Sequence, residues 1–206
     1  MGLSEALHTL AAGAVSILGR DLEPRELEAF SKYLGLLQKW QTVHRLVGSV
    51  EPEWVVENLF LDSLLFLGVL PDDVVALADL GSGAGFPGLP IKIVRPQLEV
   101  ALIEARQHRV SFLSTVIREL ALSQARVVSD RAEHISGGMV GSFEAVVMRC
   151  AGDPARVLPE ARRLLAPGGV AILSGPPTRR PLASGEWIEM PGVRPGRRRL
   201  FFVCRT

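Results

Sequence analysis

Cysteine is almost missing from this chain. Cys150 and Cys204 are the only two in 206 residues, and no CxxC spacing exists. Two cysteines cannot build a disulfide framework, which points to a reducing, cytoplasmic setting. The first residues lack a basic n-region and carry Glu5, so no secretory signal is expected. The apolar stretch Leu59–Leu70 contains Asp62 and is too short for a bilayer, which needs about 20 residues. His8, His44, His108 and His134 show no metal-ligand spacing, so surface or capping roles are read for them and no metal is expected. Repeats and low-complexity tracts are absent too. Membrane, metal and disulfide-scaffold classes are thereby set aside.

What remains is an ordinary globular composition, 48% hydrophobic and 22% charged, long enough for one α/β core with a small appendage. The formal net charge of +1 hides an asymmetry. Residues 1–148 hold 12 Lys+Arg against 18 Asp+Glu, whereas residues 149–206 hold 11 Arg, no Lys and only 4 acidic residues. A basic C-terminal quarter suits a polyanion such as RNA, or is simply a solvated Arg-rich surface.

The first third reads as helix. Leu7, Leu10, Ala14 and Ile17 recur at helical spacing over 4–19. Asp21-Leu22-Glu23-Pro24 caps a second helix reaching about Trp40, with Leu27, Phe30, Leu34 and Leu37 on one face. Pro52 opens a third, ending near Gly68. From Val74 the texture changes. Val74–Asp79 is the near-continuous apolar run of a strand buried on both faces. Further strands are read at Leu98–Glu104, Ala125–Ser129, Phe143–Met148 and Val170–Leu173. Helices fall between them, including 106–121 with Val110, Leu113, Ile117 and Leu120 inward. This alternation predicts a doubly wound, mostly parallel α/β sheet with right-handed crossovers. Gly175 to Gly185 reads as loop, and Glu186–Met190 with Arg199–Arg205 as an antiparallel pair closing a seven-stranded, Rossmann-like sheet. The expected division is a helical region over 1–70 and a cofactor-binding domain over 71–206.

The most informative segment is Asp79-Leu80-Gly81-Ser82-Gly83-Ala84-Gly85-Phe86-Pro87-Gly88. Glycines after a parallel strand let a ligand approach the backbone at the carboxyl edge of the sheet. Gly83, Gly85 and Gly88 also fit the dinucleotide fingerprint GxGxxG, with Glu104 about 20 residues beyond. Three features weigh against a dinucleotide. Asp79 before the loop would repel a pyrophosphate, Pro87 removes a backbone donor from within the fingerprint, and Gly81-x-Gly83-x-Gly85 is the commoner spacing for S-adenosylmethionine. In that reading Asp79 orients the loop and the cofactor's ammonium. Glu104 accepts from both ribose hydroxyls, or is a solvated strand end.

Asp79 through Pro90, then Arg95-Pro96, Leu102-Ile103-Glu104, Arg109-x-x-Phe112-Leu113 and Arg131-Ala132-Glu133 together resemble the RsmG family, also called glucose-inhibited division protein B. The Phe86-Pro87-Gly88-Leu89-Pro90 extension narrows the match to this family. Leu61-Asp62-Ser63-Leu64 is similar to a second element of it. The resemblance spans roughly residues 25–175. It implies a class I methyltransferase that uses S-adenosylmethionine to methylate N7 of a guanine in 16S rRNA, on the rRNA or the 30S subunit, as a monomer. It implies cofactor contacts from Gly81 and Phe86, an adenine site at Ala132 and Glu133, and Arg149 facing cofactor and target. Arg131 would order that edge or meet RNA phosphate.

Several positions depart from the family pattern. Asn58-Leu59 replaces Arg-His, His44–Val47 replaces an Asn-Leu-Thr stretch, Met148-Arg149-Cys150 replaces Ser-Arg-Ala, and Ser174 replaces a Lys. These fall mainly on the substrate side, so a paralogue that methylates a small molecule or another RNA, and an inactive cofactor binder, stay open as alternatives. Cys150 sits where cytosine-C5 enzymes place a nucleophile, but lacks the preceding Pro and reads as a small packed residue. No Asn/Asp-Pro-Pro-Tyr for amine targets is present. Guanine N7 carries a free lone pair, so no catalytic base is demanded and positioning is the expected means of catalysis. Arg194, Arg197, Arg198 and Arg199 could track RNA phosphates, with Arg197 and Arg198 the leading candidates, or form a solvated turn.

Overall fold

The computed structural model describes residues 2–149, 154–174 and 185–206. Cys150 and the stretch 175–184, most of the segment read as loop from the sequence, lie outside the described residues.

Two long helices come first, α1 (Leu3–Leu18) and α2 (Pro24–Gln41). The start of α2 is set by Pro24 in its first turn and by a capping box in which the Glu23 and Glu26 side chains each accept a backbone N–H. Arg20 then grips the buried Glu26 carboxylate with two bonds of 2.8 Å. The helix that Pro52 opens is continuous to Gly68 but not uniform. It runs through α3 (Pro52–Val55), a π turn (Val56–Leu61), α4 (Asp62–Leu64) and a 3-10 turn (Leu65–Gly68).

The α/β part follows the expected alternation: β1 (Ala76–Leu80), α5 (Gly88–Val94), β2 (Glu99–Ile103), α6 (Gln107–Glu119), β3 (Ala125–Val128), β4 (Phe143–Arg149), α7 (Pro154–Leu164) and β5 (Leu165–Ser174). The hairpin β6 (Glu186–Pro191) and β7 (Arg198–Arg205) closes it. The sheet order is β3-β2-β1-β4-β5-β7-β6, parallel through β5, with β7 antiparallel to both neighbours. The doubly wound seven-stranded sheet read from the sequence is therefore the one present.

Two expectations need correction. The fifth strand begins at Leu165 rather than Val170, because a register shift after Phe143 lets Leu165 pair with it ahead of the regular ladder. On α6 the buried face is Phe112, Leu113 and Val116, and Val110 is only half-buried. The helix is rotated so that Phe112 can meet Trp40 edge-on, with ring centroids 5.6 Å apart.

The sheet is packed on both faces. One apolar cluster joins α1, α2, the 52–68 helix, α5 and α6 to the sheet, from Ala6 to Val203. A smaller one lies on the α7 side. At the centre of the larger cluster, Phe30, Tyr33, Phe60 and Phe86 contact one another with centroids 5.0–6.1 Å apart. Each such pair adds about 0.5–1.5 kcal/mol beyond area burial. This cluster presses the N-terminal helices onto the back of the loop that follows β1.

Candidate active site

The loop after β1 is held from three sides. The Gly81 and Ser82 amides donate to the Ile103 carbonyl at 2.9 and 3.0 Å, and the Ser82 hydroxyl donates to the Asp79 carbonyl at 2.8 Å. The Gly83 amide donates to Glu104 Oε2 at 2.9 Å. From behind, the Tyr33 hydroxyl donates to the Ala84 carbonyl. Gly85 explains its own identity. Its φ is +95°, and a Cβ there would come within 2.3 Å of Leu89 Cδ1 and 2.7 Å of the Tyr33 oxygen.

Asp79 is fully buried at the end of β1. Its Oδ2 accepts the Gly88 amide at 2.9 Å, which ties the strand to the start of α5. Gly88 has no room for a side chain, since a Cβ would lie 2.7 Å from that carboxylate. The other oxygen, Oδ1, has no hydrogen-bond partner among the described residues. Burial raises the Asp79 pKa to about 7, while the Gly88 amide, Ser82 and Arg149 pull it back.

Glu104 follows β2 and is almost buried. Besides the Gly83 amide it accepts the Arg106 amide at 2.9 Å, and Arg109 Nη1 stands 3.5 Å away. It therefore shapes the loop as well as facing the cleft, and it is not a freely solvated strand end.

A cleft of about 290 Å³ opens at the carboxyl ends of β1, β2 and β3. Ile103, Ala132, Met148 and Val157 give it apolar walls. Gly81 leaves one side without a side chain, and Glu104, Asp130, Glu133 and Glu160 bring carboxylates to it. Arg163 of α7 fixes the turn after β3 by donating to the Ala132 and Ile135 carbonyls. This donor set suits S-adenosylmethionine. The apolar slot could take a purine, the Glu104 carboxylate has lone pairs left for ribose hydroxyls, and the acidic lining would favour a ligand carrying a sulfonium and an ammonium. The partnerless Asp79 Oδ1, at the strand end beneath the loop, is a further acceptor for a cationic group. The same carboxylates would repel the diphosphate of a dinucleotide.

A second, basic cleft of about 410 Å³ lies where the β6–β7 hairpin meets the 52–68 helix. Arg149 donates to the Asn58 carbonyl at 2.7 Å and stands 3.3 Å from Asp62. Arg199 reaches the same Asp62 oxygen at 2.9 Å, and Arg194 holds Glu57. Burial pushes the Asp62 pKa up, with Arg199 and Arg149 opposing it. The Arg149 guanidinium also lies over the Phe86 ring, 5.5 Å from its centroid.

The structure thus brings Gly81, Glu104, Arg131, Ala132 and Glu133 to one cleft and Arg149, Arg197 and Arg198 to the other. Asp79, Gly83, Gly85 and Phe86 line neither and form the packed body of the loop between them. Arg131 is exposed and sits 3.7 Å from Glu133, apart from the hairpin arginines. Sequence reading missed Tyr33 and Arg163, and it gave Arg109 a place in a family motif but no role. Their positions relative to the loop depend on helix packing and leave no local signal. Asp62 was visible only as part of Leu61–Leu64.

The comparisons agree with this architecture. The family model described as rRNA small subunit methyltransferase G matches residues 26–175. The chain is 34% identical to ribosomal RNA small subunit methyltransferase G of Sorangium cellulosum, covering 93% of this chain and 80% of that one. It is 35% identical to the protein of that name in Polynucleobacter asymbioticus, covering 79% and 75%. Among solved structures, a SAM-dependent methyltransferase from Aquifex aeolicus superposes with a TM-score of 0.56 over 82% of this chain and 97% of that one, at 15% identity, a likeness of fold. With the glycine loop, the acidic cleft and a family match across most of its length, the chain belongs to the rRNA small subunit methyltransferase G family.

Proposed function

We propose that this chain transfers a methyl group from S-adenosylmethionine to N7 of one guanine in the 16S rRNA of the small ribosomal subunit. The observation that carries the reading is the pairing of an acidic, purine-sized cleft with a basic cleft across one glycine loop. Residues 1–70 act as a helical cover, and residues 71–206 carry the cofactor. The protein works in the cytoplasm as a monomer and without a metal.

When bound, S-adenosylmethionine supplies an electrophilic methyl carbon on a positively charged sulfur. Gly81, Glu104, Ala132 and Glu133 hold its nucleoside portion, and Asp79 under the loop favours its ammonium. Arg149, Arg197 and Arg198 hold the target strand through phosphate or base edges, with Arg131 at the cleft's outer rim. The base must leave its stack to reach the loop. The residues on both sides of the loop would line N7 up with the methyl carbon, whose bond to sulfur would be exchanged for one to nitrogen, the positive charge passing to the purine. No proton has to leave before attack, so the residues contribute alignment and exclusion of water rather than base catalysis.

The test is methylation with radiolabelled S-adenosylmethionine of 30S subunits, naked 16S rRNA and a small-molecule panel, followed by mapping of the label. The expected result is one guanine modified at N7 in rRNA. Label confined to small molecules, or on another atom, refutes the acceptor, and failure to bind S-adenosylmethionine refutes the whole reading.

A further inference from the structure

A third cleft, on the other side of the glycine loop from the hairpin, is not used by the mechanism above. It is a groove of about 650 Å³ between the turn that follows α2 and the first turn of α6, lined among others by His44, Arg45, Arg106, His108 and Arg109. Three observations set it apart from an ordinary solvated surface. First, its cations are not balanced. Around the hairpin cleft, Glu57 takes Arg194, Glu189 takes Arg198, and Asp62 takes both Arg149 and Arg199. Here Glu104 meets Arg109 alone, and the exposed Arg45 and Arg106 have no carboxylate partner among the described residues. Second, two of the side chains that line it are imidazoles in contact with each other. Trp40 contacts His44 at 5.8 Å and His44 stacks on His108 at 5.4 Å. Third, α6 begins with no side-chain cap and no acidic residue in its first turn, and the Glu104 carboxylate beside it takes the Arg106 amide at the helix start.

The groove also touches the cofactor loop. Arg109 lies 3.5 Å from Glu104, and a Cβ on Gly83 would stand 3.7 Å from its guanidinium. Arg149 approaches the loop from the other side, over Phe86. The two basic clefts therefore flank the loop where the methyl carbon would be presented.

We propose that the groove formed by His44, Arg45, Arg106 and His108 is a second RNA-contact surface, which holds backbone phosphates of the same rRNA strand that the hairpin arginines hold. This rests on the reading of rRNA as substrate. A strand engaged at both clefts crosses the loop, so the pair of contacts sets which nucleotide faces the cofactor. The imidazole stack accepts an unpaired base without reading its identity, and the guanidiniums act on phosphates, which position rather than specify.

The experiment compares the full-length protein with Arg45→Ala/Arg106→Ala and Arg45→Lys/Arg106→Lys. The readouts are binding to in-vitro transcribed 16S rRNA and to 30S subunits across a range of KCl, with S-adenosylmethionine affinity measured beside them. The alanine variant should bind rRNA about tenfold more weakly at fixed salt, and the slope of log affinity against log salt should shrink by about 1.5, the value expected for two lost phosphate contacts. Cofactor affinity should be unchanged, and the lysine variant should recover the slope. An alanine variant with wild-type rRNA affinity and slope overturns the proposal, as does a loss that lysine does not restore. If the wild-type protein itself neither binds nor methylates rRNA, the substrate reading falls first and this surface with it.

Discussion

Replacing Asp79 by asparagine should remove a pH-dependent cost from the cofactor-free protein. The Asp79 carboxyl is fully buried, keeps one oxygen without a hydrogen-bond partner among the described residues, and has its pKa raised from the ordinary 3.8 to about 7. The sign follows from which state binds the proton. Between 3.8 and about 7 the folded protein holds a proton that the unfolded chain has released, so this group's contribution to stability falls as pH rises through that window and is level above it. Each pKa unit is worth about 1.4 kcal/mol. From about pH 5 to about pH 8 the loss is therefore about 2.5 kcal/mol. Asp79→Asn keeps an acceptor for the Gly88 amide and has no charge to desolvate. Urea titrations of both proteins at several pH values measure this directly, because any constant cost of the substitution drops out of the pH trend. Wild type should lose about 2.5 kcal/mol relative to Asp79→Asn over that interval. A difference that stays flat refutes the argument that the buried carboxylate is uncompensated. Saturating S-adenosylmethionine should flatten the wild-type trend, since an ammonium near the free oxygen favours the ionised form, and cofactor affinity should rise with pH through about 7.

Three other outcomes follow from the same geometry. Glu104→Ala removes the acceptor for the Gly83 and Arg106 amides as well as any ribose contact. Its dissociation constant for S-adenosylmethionine by calorimetry should rise by about 10- to 100-fold, the worth of charge-assisted hydrogen bonds. Gly85→Ala forces a Cβ into Leu89 and Tyr33 at a φ of +95°. It should cost about 2–4 kcal/mol and lower the melting temperature by roughly 10 °C. Asp62→Ala leaves the half-buried Arg149 and Arg199 without their shared carboxylate. Stability should fall by about 2 kcal/mol, while fluorescence anisotropy at low salt should show tighter, less selective RNA binding.

How much of this was legible in the sequence depended on range. Parallel strands buried on both faces leave unbroken apolar runs, so β1, β2 and β4 could be read from Leu77, Val100 and Val146 and their neighbours. Pro24 and Pro52 announced helix starts because proline lacks only a hydrogen bond that a first turn does not make. The glycine loop could be read because its backbone forbids side chains, whatever surrounds it. The reach of β5 back to Leu165 depends on a register shift with Phe143, and no periodicity encodes a partner strand. The π turn at Val56–Leu61 had no local signature either. The site was legible in the same way. Glu104 stood out by its place after an apolar strand. The Arg149–Asp62–Arg199 group joins residues 87 and 137 positions apart, and the His44–His108 stack depends on how α2 meets α6. Composition recorded that arginines were plentiful near the C-terminus, but not which carboxylates would meet them.

The contacts between the helix at 52–68 and the last hairpin have a consequence for biogenesis. Phe66 meets the Phe201 ring edge-on at 4.8 Å, and Arg199 and Arg194 reach back 137 positions to Asp62 and Glu57. During synthesis the early helices emerge long before the strand they pack against. At about 10 residues per second the wait is more than ten seconds. Throughout it, the part of the 52–68 helix that meets Phe201, Arg194 and Arg199 lacks its native cover, while α1 and α2 already have each other, α5 and α6 to pack against. The hairpin side of the core is therefore completed only after β7 has been made, and until then Phe66 is open to non-native contacts.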